Sequence, residues 1–162
     1  MSRCKRKEIE CAGSGQDGEC RRGVPWSQPR FEAEGATVRD RLTGLGWCRN
    51  AGLAEFSLTW QEVLDFVAQM NRDQTFGCSD WRLPNRRELR SLISHQASRP
   101  ALPERHPFTN LFQGWYWSSN TAAISPTHAW YVDLAGGRMF YGGKDQPFMV
   151  WPVRGAATAF FP

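Results

Sequence analysis

Two capping boxes set the middle of this chain. Thr59 is followed three residues on by Glu62, and Asn85 by Glu88. In such a pair the first side chain accepts a bond from the amide three residues later, while the Glu reaches back to the cap's own amide. Behind Thr59, the residues Trp60, Val63, Leu64, Val67 and Met70 recur at helical spacing and predict a helix ending near Asn71. Behind Asn85, preceded by Trp81-Arg82-Leu83-Pro84, a second helix carries Leu89, Leu92 and Ile93. Each helix has one apolar stripe, so both must be laid on another layer of structure.

The flanking sequence supplies strands. Thr37–Asp40, a turn at Leu42-Thr43-Gly44, and Leu45–Trp47 read as a hairpin. Residues 97–114 are Pro-rich loop. Tyr116–Ser119 and Ala129–Leu134 follow as strands, the latter with alternating side chains. Ala135-Gly136-Gly137 turns the chain, Arg138–Tyr141 returns it, and Met149–Arg154 makes the last strand. Pro152 places that strand at an edge or a bulge. Hairpin, two helices and a run of antiparallel strands make an α+β fold. Residues 1–30 are punctuated by Gly and Pro and are expected to pack as an irregular segment on a domain spanning 31–155, with 156–162 as a tail. The whole 162 residues suit one domain.

The net charge is +4, and its distribution matters more than its size. From Leu111 onward only Asp133, Arg138, Lys144, Asp145 and Arg154 are charged, yet that stretch holds 12 of the 21 aromatic residues. A protein that tracks phosphates puts its cations where its rings stack bases. Here the two are separated along the chain, and nucleic acid is not the expected partner. No apolar run approaches the roughly 18 residues that span a bilayer, so membrane insertion is not expected either. The opening residues Ser2, Arg3, Cys4, Lys5, Arg6 and Lys7 are not followed by an apolar stretch. The protein therefore works in the cytoplasm or begins after a removed leader.

Five cysteines, at 4, 11, 20, 48 and 78, form no CxxC, and three histidines accompany them, so no zinc site is expected. Cys4 and Cys11 flank a short charged segment and are candidates for a small disulfide loop, with free thiols as the alternative.

Eight segments, in order, resemble one family. They are CAGSGQDGE (11–19), RRGVPWSQPRF (21–31), TVRDRLTGLGW (37–47), DWRLPNRREL (80–89), ALPERHPFTN (101–110), YWSS (116–119), AWYVDLAGG (129–137) and VWPVRG (150–155). Together they resemble the Lcl C-terminal domain family, a bacterial domain named for a collagen-like adhesin. The resemblance implies a C-type-lectin-like fold, two helices packed on antiparallel strands, in an exported or cell-surface protein. It also implies a ligand-binding role: the adhesin is thought to bind sulfated glycosaminoglycans. Some members look like the variable proteins of diversity-generating retroelements, whose last strands and loops form the contact surface.

The segment DWRLPNRREL is also similar to formylglycine-generating enzymes, but those need two late cysteines and no cysteine here follows Cys78. The sugar-binding tripeptides of calcium-dependent lectins are absent, and Asp133 and Asp145 alone offer too few oxygens for calcium. Ser125, His128 and Asp133 are the only local trio with the composition of a catalytic site. Asp80 and Glu88 read as helix caps, Arg82 as a pin for a loop carboxylate or carbonyls, and Trp47, Trp60, Trp81 and Leu83 as core. Gly44, Gly46, Gly136 and Gly155 read as turn or close-approach positions.

No catalytic residue, metal or cofactor is therefore assigned. The expected function is non-enzymatic binding of a glycan or a protein through the late strands, since rigid rings give contact area at little entropic cost. The candidate contacts are Trp130, Tyr131, Asp133, Arg138, Phe140, Tyr141, Lys144 and Gln146. Alternation puts Trp130 on the face opposite Tyr131 and Asp133, so only one set is expected to be exposed. The other readings are a structural or assembly domain of an envelope protein, with homo-oligomers, and rings that merely fill the core.

Overall fold

The computed structural model describes residues 11–20 and 28–156. It is α+β, with three helices and two antiparallel sheets. Asp17–Cys20 forms the short helix α1, where an irregular segment was expected. The Cys4–Cys11 pairing lies outside the described residues, because Cys4 does. Cys20, Cys48 and Cys78 are free thiols.

The first sheet runs β1 (Phe31–Glu34), β2 (Thr37–Asp40), β3 (Gly46–Cys48), β7 (Val153–Arg154) in spatial order, so the two ends of the domain meet in one sheet. β2 and β3 are the expected hairpin, with Val38 opposite Trp47. β1 was not foreseen, because Phe-Glu-Ala-Glu offers one apolar anchor and no alternation; only Phe31 is buried. The last strand is two residues long instead of six. Met149 makes only an isolated bridge to Tyr116, and Pro152, just before β7, faces β3: its carbonyl accepts from the Cys48 amide at 2.9 Å, and the Cys48 carbonyl that it cannot serve accepts from Trp151 Nε1 instead.

Both helices begin where their capping boxes place them. α2 (Trp60–Arg72) is capped by Thr59 and α3 (Arg86–Leu92) by Asn85, and both boxes are complete. In α2 the buried stripe is Val63, Val67 and Met70, while Trp60 and Leu64 stay half-buried, a correction to the expected burial of both. Leu89 in α3 is 1 % exposed. Truncating it to Ala should cost about 2–5 kcal/mol, since lost transfer energy and a cavity add. Leu64→Ala should cost clearly less, and urea unfolding of the two variants checks the order.

The core is a packed set of rings and aliphatics between the layers. Trp151 touches Trp47, Phe108 and Tyr116 with ring centroids at 5.5, 4.8 and 5.5 Å. Its Nε1 donates to the Cys48 carbonyl at 2.8 Å. Burial pushes the Cys48 thiol up to about 11 and the Tyr116 phenol to about 12, so both are neutral at ordinary pH. A buried pair, Arg30 and Asp40, ties the first sheet to the end of α3 through the Ser91 carbonyl.

Candidate functional site

The second sheet is one contiguous piece of chain, β4 (Trp115–Thr121), β5 (His128–Asp133) and β6 (Arg138–Gly143). Register sets which side chains share a face. Tyr131 lies opposite Trp117 on β4 and Phe140 on β6, and Asp133 lies opposite Trp115 and Arg138. Phe148 is pinned beneath this row by two backbone bonds to Leu58, at 2.8 and 2.9 Å. Its centroid lies 4.5 Å from both Trp117 and Tyr131 and 5.1 Å from Trp115. Tyr131 continues the row to Phe140 at 6.0 Å. Trp117 is fully buried, whereas Trp115 is 48 % and Phe140 41 % exposed. The row is thus core at its base and open to solvent at its two ends.

Polar groups rim these rings. The Asp133 carboxylate accepts from the Ala135 amide at 2.9 Å and holds the turn, and Arg138 beside it is exposed. Burial, and after it the Asp133 charge, raises the Tyr131 phenol above its ordinary value, which keeps it a neutral donor. At the other end Lys144 places Nζ 4.0 Å over the Trp60 ring and 2.9 Å from Thr121 Oγ1. A Cβ on Gly142 would fall 2.6 Å from Gln146 Oε1 and 3.1 Å from the Tyr131 ring, so glycine there lets amide and ring close together. Lys144, Gln146, Thr127 and His128 also line an open groove of about 820 Å³.

Trp130 and Tyr141 lie on the opposite face, as alternation requires, with centroids 5.4 Å apart. The expectation that only one set is exposed is corrected. Tyr141 is 45 % exposed and Trp130 half-buried, because α3 packs mainly on β4 and β5 while Tyr141 lies on the edge strand β6. The separation of cations from rings along the chain is also partly undone in space, where the Arg86 guanidinium sits 5.0 Å from the Trp130 ring centroid.

Sequence reasoning missed Trp115 and Trp60 as parts of this surface, and Phe148 as the ring beneath it. Trp60 was assigned to the core from its helical spacing. Its place at the first turn of α2 is the signal that could have corrected this, because a ring at a helix end can turn its edge outward. Its Nε1 donates to the Ser118 carbonyl at 2.9 Å.

Other sequence candidates resolve into structural contacts. Arg82 grips Glu88 with two bonds, at 2.8 and 2.7 Å, and donates to the Gly155 carbonyl. Glu88 is a cap as expected, whereas Asp80 is not and instead pairs with Arg154 at 2.9 Å. The left-handed position of the β5–β6 turn is Gly137, at φ +70°, and not Gly136. The His128 amide donates to the Ser125 carbonyl at 3.1 Å, but the Ser125 hydroxyl meets the His128 ring through Thr127 Oγ1, by contacts of 2.8 and 3.0 Å, and Asp133 stands at the far end of β5. Among the described residues no group of three or more His, Cys, Asp or Glu is placed to hold a metal, and no helix is long and apolar enough to cross a membrane.

A search of curated proteins finds no match to this chain. A family model described as the Lcl C-terminal domain matches residues 36–154, which include the whole of the second sheet, Trp60 and Phe148. On that match the chain belongs to the Lcl C-terminal domain family.

Proposed function

We propose that this domain is a non-enzymatic ligand-binding module, on a lectin-like scaffold, whose contact surface is the ring row of the second sheet. The observation that carries the reading is the graded burial of that row. Trp117 and Phe148 anchor it in the core, and Trp115, Tyr131 and Phe140 bring it to the surface. Rings held this way lose little conformational freedom when a ligand settles on them. Asp133, Arg138, Lys144 and Gln146 at the rim supply orientation. The lectin-like part of the reading is supported by the presence of β1 and β7, the first and last strands described, in one sheet, while β4–β6 make a second sheet from one continuous stretch of chain.

The ligand classes that suit such a surface are a glycan, whose pyranose faces stack on rings, and a protein surface with an apolar centre. The test is a screen of neutral and sulfated glycans and candidate proteins on the wild type beside Trp115→Ala and Tyr131→Ala. Thermal unfolding of each variant is measured in parallel, because Tyr131 also packs on Phe148. Binding carried by rings should fall at least about tenfold in each variant, equivalent to about 1.4 kcal/mol. It should also change little between low and physiological salt, where exposed charges are screened beyond about 8–10 Å. A steep salt dependence, with losses confined to Arg and Lys variants outside 120–148, would overturn the ring surface as the site.

A further inference from the structure

We infer that the outer edge of β6 pairs with the same edge of a second copy of this chain, making one continuous six-stranded sheet across a two-fold axis. The two edges of the second sheet are treated differently. The outer edge of β4 is occupied: Trp117 and Trp115 exchange backbone bonds with Met149, at 3.0 and 2.9 Å, and Ser119 donates to Pro84 at 2.8 Å. β6 is the other edge: among the described residues the backbone of 138–142 makes no bond outward, and the Gly143 carbonyl accepts from the Gln146 amide at 3.0 Å. Lys144 donates inward to Thr127, so strand alternation turns the amides and carbonyls of Met139, Tyr141 and Gly143 outward. β6 pairs with β5 over six consecutive residues without a bulge, contains no proline, and exposes Phe140 on one face and Tyr141 on the other. A regular, apolar, unprotected edge is a template for another strand.

The strand's own sequence selects the occupant. A two-fold axis normal to a sheet keeps each side chain on its face, so a copy can pair only in registers where partner numbers share parity. Two such registers, centred on Phe140 and on Tyr141, pair five of the six residues of β6, and those centred on Met139 and Gly142 pair only three. The one centred on Tyr141 sets Arg138 against Lys144, a like-charge pair. The one centred on Gly142 spends its middle on glycine. The one centred on Phe140 sets Phe140 against Phe140, Met139 against Tyr141 twice and Arg138 against Gly142 twice. In that register Met139 and Tyr141 form the hydrogen-bonded pairs, and the two Phe140 rings meet at the close, non-bonded pair. Apolar and aromatic cross-strand pairs are favourable, and no charge meets its like. This pairing stands independently of any ligand, although it would set two ring rows side by side.

The experiment is sedimentation velocity of the full chain over a wide concentration range, with amide hydrogen exchange at its two ends. The wild type should pass from monomer to dimer, and the Met139 and Tyr141 amides should slow as it does. Phe140→Lys puts two ammonium groups on the axis and should weaken the dimer at least about tenfold. Ile124→Lys, at an exposed apolar residue in the β4–β5 loop, should leave it unchanged. A chain that stays monomeric at every concentration overturns the proposal. So does a dimer that survives Phe140→Lys while the Met139 and Tyr141 amides exchange freely.

Discussion

Trp151→Ala is expected to remove about 3–5 kcal/mol of stability, a large part of what a domain of this size has. Trp151 is fully buried where the two sheets and the 101–111 loop converge. Losing its indole empties the contacts to Trp47, Phe108 and Tyr116 at once, and leaves the Cys48 carbonyl without its donor. The cavity term adds to the transfer term, because three neighbouring rings from separate segments cannot all collapse inward. Equilibrium urea unfolding should show a large drop in midpoint with an unchanged slope. A loss below about 1 kcal/mol would mean that the ring cluster is not the joint between the sheets.

The second large effect is expected at Arg30. Its Nε and Nη2 bond Asp40 at 3.0 and 2.8 Å, and both side chains are almost wholly buried. Arg30→Met leaves the Asp40 carboxylate in the interior with the Leu42 amide and the Thr43 hydroxyl still donating to it but no positive charge from Arg30. Removing one partner of a buried pair costs about 3–5 kcal/mol, because an uncompensated charge remains. The Arg30→Met, Asp40→Asn double variant should recover part of the loss, since the residual charge goes with the carboxylate. If the double variant is less stable than Arg30→Met, the cost lies in the broken turn at 40–43 and not in the stranded charge. Thermal unfolding of the three proteins distinguishes these outcomes.

Local signals were legible in the chain and long-range ones were not. Thr59 with Glu62 and Asn85 with Glu88 specify their helix starts completely, because every partner lies within three residues. The opposite faces of Trp130 and Tyr131 follow equally from strand alternation. What alternation cannot state is how much each face is covered. That depends on where α3 lands, and α3 packs mainly on β4 and β5. Trp60 and Leu64 share the spacing of Val63 and Val67, yet the stripe is wider than the surface available to cover it. Asp80 looked like a cap because it precedes a helix by a few residues; its partner, Arg154, is distant in sequence. β1 was invisible because its reason for being a strand is the partner β2 and not its own pattern.

The contacts of Arg82 bear on how the domain would carry tension. Its backbone exchanges two bonds with Val153, at 2.8 and 2.9 Å, and its guanidinium holds the Gly155 carbonyl while gripping Glu88 in α3. β7 alone is two residues long and would peel from β3 under a modest pull. A force applied beyond Gly155 is instead shared with α3 through one side chain. Arg82 would thus couple β7 to α3 under load through its bonds to Glu88 and Gly155.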